Sequence, residues 1–130
     1  MKNKRLIVSI VALVCLLSLL LCACGNKAPV ADGAEKTFTI QVVHADGTVM
    51  EKEITTTQQF LAHALFDEKI LVEEEALTTG MYLIVDGEEA SWEKDKAYWG
   101  FYVNGEYAIE GMNTTEIEAG AVYKLEYTLG

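Results

Sequence analysis

The segment that most constrains the fold runs from position 97 to position 107, with five aromatic side chains and one Asn-Gly pair in eleven positions. Aromatic residues favour a pleated strand, and Asn-Gly favours a tight hairpin turn because both residues tolerate positive φ. With a two-residue loop, Tyr102 lies opposite Tyr107 and Val103 lies opposite Glu106. The segment therefore predicts a β-hairpin.

Both faces of this hairpin are apolar. Tyr98, Tyr102 and Tyr107 share one face, and Trp99 and Phe101 share the other. A strand with one face in water normally carries polar residues on that face. Two interpretations are open: the neighbouring loops fold over the second face and bury it, or that face is a platform for a ligand or a partner. Exposed aromatic patches are uncommon, which favours the first interpretation, whereas the enrichment of tyrosine and tryptophan at binding surfaces supports the second.

The first 23 residues have the pattern of a secretory signal. Three basic residues precede an uncharged apolar run from Leu6 to Ala23, and the sequence there ends in Leu-Cys-Ala-Cys-Gly. This ending resembles a bacterial lipobox, and the resemblance implies cleavage before Cys24 and attachment of lipid to its sulfur. We therefore expect a mature protein anchored to the outer face of the cell membrane by lipid on Cys24. A retained membrane-spanning helix is the alternative, since the run is just long enough to cross a bilayer.

Removal of this signal changes the composition of the protein. Two of the three cysteines leave with it and Cys24 carries lipid, so we expect no disulfide and no thiolate chemistry in the folded domain. The chain has 10 basic and 20 acidic residues, and loss of the three basic residues leaves 7 against 20, a net charge of −13. This charge excludes nucleic acid as a partner and keeps the domain away from an anionic membrane surface.

The rest of the chain is predicted to form a flexible tether, residues 24–36, and one domain, residues 37–130. At the start of the domain, Thr37–Val43 alternates between apolar and polar side chains, which indicates a half-buried strand. Val49–Ile54 returns as an edge strand, where Lys52 discourages pairing with other chains.

One helix is predicted after these strands. Thr55 and Gln58 have the spacing of a capping box, and an apolar stripe follows as far as about Asp67. Met81–Val85 is a continuous apolar segment and predicts a further strand. Val122–Leu129 closes the domain, with its odd-numbered side chains predicted to face inward. One crossover helix on a mixed sheet indicates an α+β fold.

From Phe38 onward, the sequence resembles a family of bacterial surface domains akin to the C-terminal domain of transcobalamin and intrinsic factor. The likeness rests on three segments and on the closing pattern Tyr-x-Leu-x-Tyr; the segments are 80–87, 97–105 and 107–111. The resemblance implies a β-grasp-like sheet with a single helix on one face. In the animal proteins this domain closes over a cobalamin that a separate helical domain mainly holds. No such helical domain is present in this sequence, so a cobalamin would be held by this domain alone, by a second protein, or not at all.

The candidate ligand-binding residues are aromatic. Tyr82 and Trp99 match positions of the family and are the first choices, followed by Tyr102 and Tyr107. For catalysis, the sequence contains no nucleophile elbow and no Gly-rich phosphate loop. No spacing pairs the two histidines as metal ligands. We therefore expect no catalytic residues, no metal site and no enzyme activity.

These features predict a lipid-anchored extracytoplasmic binding module. Its ligand would be a corrinoid such as cobalamin, or another flat organic cofactor, in nutrient uptake. The alternative is a protein-interaction module of a membrane transporter or surface complex that has no small-molecule site. An enzyme is a third hypothesis, which only an unrecognised catalytic cluster would support.

Overall fold

The computed structural model describes residues 33–130. The predicted signal segment, the lipidation site Cys24 and most of the tether lie outside the described residues. The strands are β1 (Lys36–Val43), β2 (Val49–Thr56), β3 (Ile84–Val85), β4 (Glu88–Glu89), β5 (Ala97–Val103), β6 (Glu106–Tyr107) and β7 (Val122–Leu129). The helices of this part of the chain are α1 (Leu61–Asp67), α2 (Glu75–Thr78) and α3 (Trp92–Asp95).

Five of the strands form one mixed sheet in the order β2-β1-β7-β5-β6, and β3 and β4 form a separate two-stranded hairpin. The pair β1–β7 is parallel, and the other pairs of the sheet are antiparallel. A parallel pair cannot be joined by a tight turn, and the chain between β1 and β7 includes all three helices. The predicted α+β fold with a mixed sheet is confirmed, and the structure adds two one-turn helices to the helix that was predicted.

The predicted hairpin is present with the predicted register. Tyr102 pairs with Tyr107, and Val103 pairs with Glu106. Asn104 and the glycine after it have φ values of 50° and 86°, as a type I′ turn requires. Asn104 also fastens the turn to β7, because its N–H donates to the Val122 carbonyl at 2.8 Å and its side-chain Oδ1 accepts from the Val122 N–H at 2.9 Å.

The core lies on one face of the sheet. Helix α1 and the loops after it pack against this face, and Leu61 and Leu65 of α1 are fully buried there. The sheet contributes side chains from β1, β5 and β7, all of them buried: Phe38, Ile40, Val42, Trp99, Phe101, Tyr123 and Leu125. Burial of these apolar surfaces is the main driving force for folding of the domain.

The other face of the sheet is open. Tyr98 and Tyr107 are exposed on it, so of the two interpretations of the hairpin, the one with both faces buried is wrong. Gly100 lies on this face but is covered, because the ring of Tyr102 lies across it. A Cβ built at Gly100 would lie 3.2 Å from Cε2 of Tyr102. The ring therefore shields a strand glycine that has no side chain of its own to pack.

The predicted capping box is not formed. Thr55 belongs to β2, where its hydroxyl shares a 2.8 Å hydrogen bond with that of Thr37 on β1. Helix α1 begins at Leu61 and has no side-chain cap. Its first N–H groups instead donate to backbone carbonyls of a distant loop, Leu61 to Thr115 and Ala62 to Met112, each at 3.0 Å. Long-range capping of this kind leaves no local pattern in the sequence.

The predicted strand Met81–Val85 is also wrong over most of its length, since only Ile84–Val85 is in a strand. The residues before β3 are held largely by side chains, although the Leu83 carbonyl also accepts from the Ala90 N–H at 2.9 Å. One carboxylate oxygen of Glu73 accepts from the N–H groups of Leu83 and Ile84, at 2.7 and 2.9 Å. This arrangement leaves Met81 and Leu83 exposed.

Candidate functional site

A cleft of about 380 Å³ lies between the beginning of β5 and the chain from position 80 to position 92. Six of its lining side chains are large and apolar or aromatic: Met81, Tyr82, Leu83, Trp92, Tyr98 and Trp99. We call this the aromatic cleft. Its volume is within the usual range of small-molecule sites, and its lining has the apolar character that such sites share.

Trp99 is the fixed part of the aromatic cleft. It is only 7% exposed, and its Nε1–H donates to the Leu83 carbonyl at 2.9 Å. Its ring makes edge-to-face contacts with Tyr127, at a centroid distance of 5.6 Å, and with His44, at 6.1 Å. The hydrogen bond ties the segment before β3 to the sheet, so Trp99 positions the opposite wall of the cleft.

The walls of the aromatic cleft carry exposed apolar side chains. Met81 is 68% exposed and Trp92 is 54% exposed, and Leu83 and Tyr98 are also exposed. Trp92 is the first residue of α3, and the Nζ of Lys96 lies 5.5 Å from the centroid of its ring. Exposed apolar residues that occur singly need no explanation, but a contiguous group of four around a cleft is typical of a binding surface.

Tyr82 is the polar group of the aromatic cleft that is most changed by its surroundings. Burial raises the pKa of its phenol well above the usual value, and the nearby Tyr107 adds to the rise. The phenol therefore stays protonated across the physiological range of pH. It can donate one hydrogen bond to a ligand in the cleft.

A second aromatic pair lies on the open face of the sheet. Tyr102 and Tyr107 make an edge-to-face contact with a centroid distance of 5.5 Å. The Nζ of Lys124 lies 4.4 Å from the ring centroid of Tyr102. A cation at this distance from a tyrosine ring stabilises its position.

His44, at the end of β1, is held between two carboxylates of the β3–β4 hairpin. Its Nε2 lies 2.9 Å from Asp86 Oδ2, and its Nδ1 lies 3.0 Å from Glu88 Oε1. The same oxygen of Glu88 accepts from the N–H of Ala45 at 3.0 Å. Desolvation lowers the pKa of His44, but the two carboxylates outweigh this effect and the net pKa is raised.

No family model and no curated protein matches this chain. Several solved structures resemble it, among them the following two. The crystal structure of a proposed metal-binding protein from Ruminococcus gnavus ATCC 29149 has 25% sequence identity and a TM-score of 0.64, over 73% of this chain and 98% of that one. Haptocorrin in complex with Cbi has 9% identity and a TM-score of 0.55, over 79% of this chain and 27% of haptocorrin.

The likeness to haptocorrin is a likeness of fold. This chain corresponds to about a quarter of haptocorrin, with 27% of that protein covered. The resemblance to transcobalamin-type domains that the sequence indicates is thus supported for the architecture of the sheet.

The donor set around His44 does not fit a metal ion. The two carboxylates contact different nitrogens on opposite sides of the ring, so a metal at either nitrogen would have only one carboxylate beside it. Between residues 33 and 130, no group of three or more His, Cys, Asp or Glu side chains converges on one point. In the same residues, no helix is long and apolar enough to cross a membrane.

The structure divides the four predicted ligand-binding residues between two surfaces. Tyr82 and Trp99 line the aromatic cleft, whereas Tyr102 and Tyr107 lie on the open face. The reason is the alternation of a strand, which points Trp99 and Tyr102 to opposite sides of the sheet. The two surfaces meet at the edge of β5, because Tyr98 of the open face also lines the cleft and Tyr107 is close enough to raise the pKa of Tyr82.

Four further residues line the aromatic cleft and were not among the predicted ligand-binding residues: Met81, Leu83, Trp92 and Tyr98. The signal for the first two is the apolar stretch 81–85, which predicts a strand. The signal for Trp92 was a lone tryptophan among charged residues.

A His44→Gln variant tests the role of the histidine through the pH dependence of stability. The raised pKa means that the charged imidazole stabilises the fold fully below the unfolded-state pKa of about 6.5, and that this contribution is lost as pH rises through the folded-state pKa. We expect the wild type to be more stable than the variant by on the order of 1 kcal/mol at pH 6, and the difference to shrink by pH 9. Urea denaturation at both pH values measures it.

The carboxylates provide the control for this experiment. In an Asp86→Asn/Glu88→Gln variant that keeps His44, the additional stability at pH 6 should be absent. An equal stability difference between wild type and His44→Gln at pH 6 and pH 9 would contradict the ion-pair interpretation.

Proposed function

We propose that residues 37–130 form a non-catalytic binding module, anchored outside the cell membrane by lipid on Cys24, that takes a flat organic ligand of the corrinoid class in the aromatic cleft. One observation carries the proposal: four exposed apolar side chains converge on a cleft whose other wall is fixed by Trp99. The likeness in fold to haptocorrin, described in complex with Cbi, supports the choice of ligand class.

The chemistry of the cleft suits a flat ligand. Trp92 and Tyr98 offer exposed aromatic surface, and contact with a conjugated ring removes apolar area of both partners from water. The protonated phenol of Tyr82 supplies a hydrogen-bond donor that fixes the orientation of the ligand.

The volume of the cleft, about 380 Å³, is smaller than the volume of a corrinoid molecule. It therefore covers one edge or one face of the ring and leaves the remainder accessible. A second protein, such as a membrane transporter, would take the ligand from that side. The lipid anchor would keep the module close to such a transporter.

Titration of the full-length chain in detergent with cyanocobalamin tests this function. We expect a dissociation constant in the micromolar range, on the order of 1–100 μM, measured by heat or by quenching of tryptophan fluorescence. Truncation of Trp92 removes aromatic contact with the ligand, so Trp92→Ala should weaken binding about tenfold or more.

Val49→Ala is the matched control, because Val49 is an exposed apolar residue on β2, outside the cleft. It should bind as the wild type does. Absence of binding up to high micromolar ligand, or equal loss of binding in both variants, would rule out a corrinoid in the aromatic cleft.

A further inference from the structure

A second groove, of about 510 Å³, lies beside the β5–β6 hairpin, on the side of the chain that follows it. Its apolar lining comes from Val103, Tyr107, Ala108 and Ile109, and its acidic lining comes from Glu106, Glu110 and Glu118. We call it the hairpin groove. It shares no lining residue with the aromatic cleft.

The apolar part of the hairpin groove is unusually accessible. Ile109 is 99% exposed, more than any other large hydrophobic residue of the described chain, and Tyr107 beside it is also exposed. The side chain of Ile109 buries almost no apolar surface in the folded domain. Its apolar surface stabilises the protein only when something else covers it.

The charges around this apolar surface all have one sign. Three glutamates line the groove, and no lysine, arginine or histidine lines it. The ion pairs of the described residues lie elsewhere, so none of them neutralises Glu106, Glu110 or Glu118. Because the chain carries a formal net charge of −10, and −13 after removal of the predicted signal, the potential over the groove attracts cations and repels nucleic acid, anionic lipid and a second copy of this chain.

The hairpin groove and the aromatic cleft lie at opposite ends of β5. The cleft is next to Ala97, which pairs with Leu129, the last residue of β7. The groove is next to Val103, which pairs with Tyr123, the second residue of β7. The two linings nevertheless approach each other beside Gly111, where an added Cβ would lie 4.0 Å from the Cα of Gly80. The two sites are thus neighbouring surfaces with separate linings.

The hairpin groove also lies at the end of the sheet where the chain enters the domain. The loop that contains Glu118 bonds to the beginning of β1, with the Gly120 N–H donating to the Thr37 carbonyl at 2.8 Å. Under the proposed lipid anchor, this end is connected to the membrane by the tether.

We propose that the hairpin groove binds a segment of a partner protein in which an apolar residue is flanked by lysine or arginine. The apolar residue covers Ile109 and Tyr107, and the flanking cations pair with Glu110 and Glu118. Charge complementarity of this kind accelerates association and selects against acidic partners. The partner surface differs from the corrinoid site in position and in chemistry.

Fluorescence anisotropy with labelled synthetic peptides tests this inference on the full-length chain in detergent. The probe is Gly-Lys-Ile-Lys-Leu-Lys-Gly, and its counterpart has glutamate in place of each lysine. We expect the basic peptide to bind and the acidic peptide not to bind. Binding should weaken about tenfold in Ile109→Ser and in Glu110→Gln/Glu118→Gln, and it should fall as salt is raised.

The control for net charge is Glu51→Gln/Glu53→Gln, which removes the same charge from β2 and should change peptide binding less than twofold. An equal loss in this control would overturn the proposal, because attraction would then come from total charge alone. Competition by a peptide of residues 25–32, or Ile109-dependent dimerisation, would also overturn it in favour of the tether or a second copy. Trp92→Ala should leave peptide binding unchanged, so failure of the corrinoid proposal and failure of this one give different results.

Discussion

Replacement of Trp99 by alanine is expected to lower the free energy of unfolding by about 3–5 kcal/mol. The indole is 7% exposed, and its removal leaves a cavity between β5, Tyr127 and the segment before β3. The variant also loses the hydrogen bond to the Leu83 carbonyl, which contributes about 1 kcal/mol on its own. Urea denaturation followed by far-UV circular dichroism measures the change.

The second tryptophan of the chain is the matched control. Trp92 is 54% exposed, so Trp92→Ala should change stability by no more than about 1 kcal/mol. A Trp99→Phe variant separates the cavity from the hydrogen bond, because phenylalanine refills most of the space but has no N–H group. Equal destabilisation by the two alanine variants would contradict the distinction between a structural and an exposed tryptophan.

This comparison bears directly on function. Trp99 was a first choice for ligand binding because of the family resemblance, yet most of its surface contacts the protein itself. Its effect on a ligand would act through the position of Leu83, whose carbonyl it holds. Trp92 presents most of its ring to solvent, so it is the better probe of direct contact.

Local patterns predicted the four long strands of the sheet, β1, β2, β5 and β7. The Asn-Gly pair specified the hairpin and its register, since two-residue turns of this type admit few backbone conformations. Alternation in Thr37–Val43 predicted β1, which begins one residue earlier. β2 lies at an edge of the sheet as predicted, and Lys52 there pairs with Glu68 at 2.6 Å.

The features that were not predicted from the sequence depend on contacts between residues that are far apart in the chain. Helix α1 is capped by carbonyls about fifty residues later in the chain, so the Thr-x-x-Gln spacing had no bearing on its beginning. Met81 and Tyr82 are outside the strand, and at Leu83 the N–H donates to Glu73 while the carbonyl accepts from Trp99 and from the Ala90 N–H. A run of apolar residues cannot distinguish a buried strand from an exposed cleft wall.

The sequence predicted which kinds of residue form the candidate site, but not which individual residues come together in it. The aromatic residues were recognised, and strand parity correctly separated Trp99 from Tyr102 and Tyr107. Which face the helix covers depends on the path of the chain between β2 and β7, and no local pattern specifies that path. The exposed wall of Met81, Leu83 and Trp92 therefore became visible only in the structure.

Replacement of Leu125 by alanine is expected to lower the free energy of unfolding by about 2–5 kcal/mol. Leu125 lies on β7, the middle strand of the sheet, and is 0% exposed. Its removal leaves a cavity in the core between β1 and β5, with which it pairs through Val42 and Phe101. Urea or thermal denaturation of the variant measures the loss.

Leu129 is the matched control on the same strand and the same face. The alternation of Val122–Leu129 predicted that Leu129 faces inward, and this prediction is wrong, because β7 extends beyond the core and Leu129 is 71% exposed. Leu129→Ala should therefore change stability by no more than about 0.5 kcal/mol. Leu125 and Leu129 lie on the same face of β7 and differ only in burial. Equal destabilisation of the two variants would therefore contradict the exposure of Leu129 and would mean that the end of β7 is covered in solution.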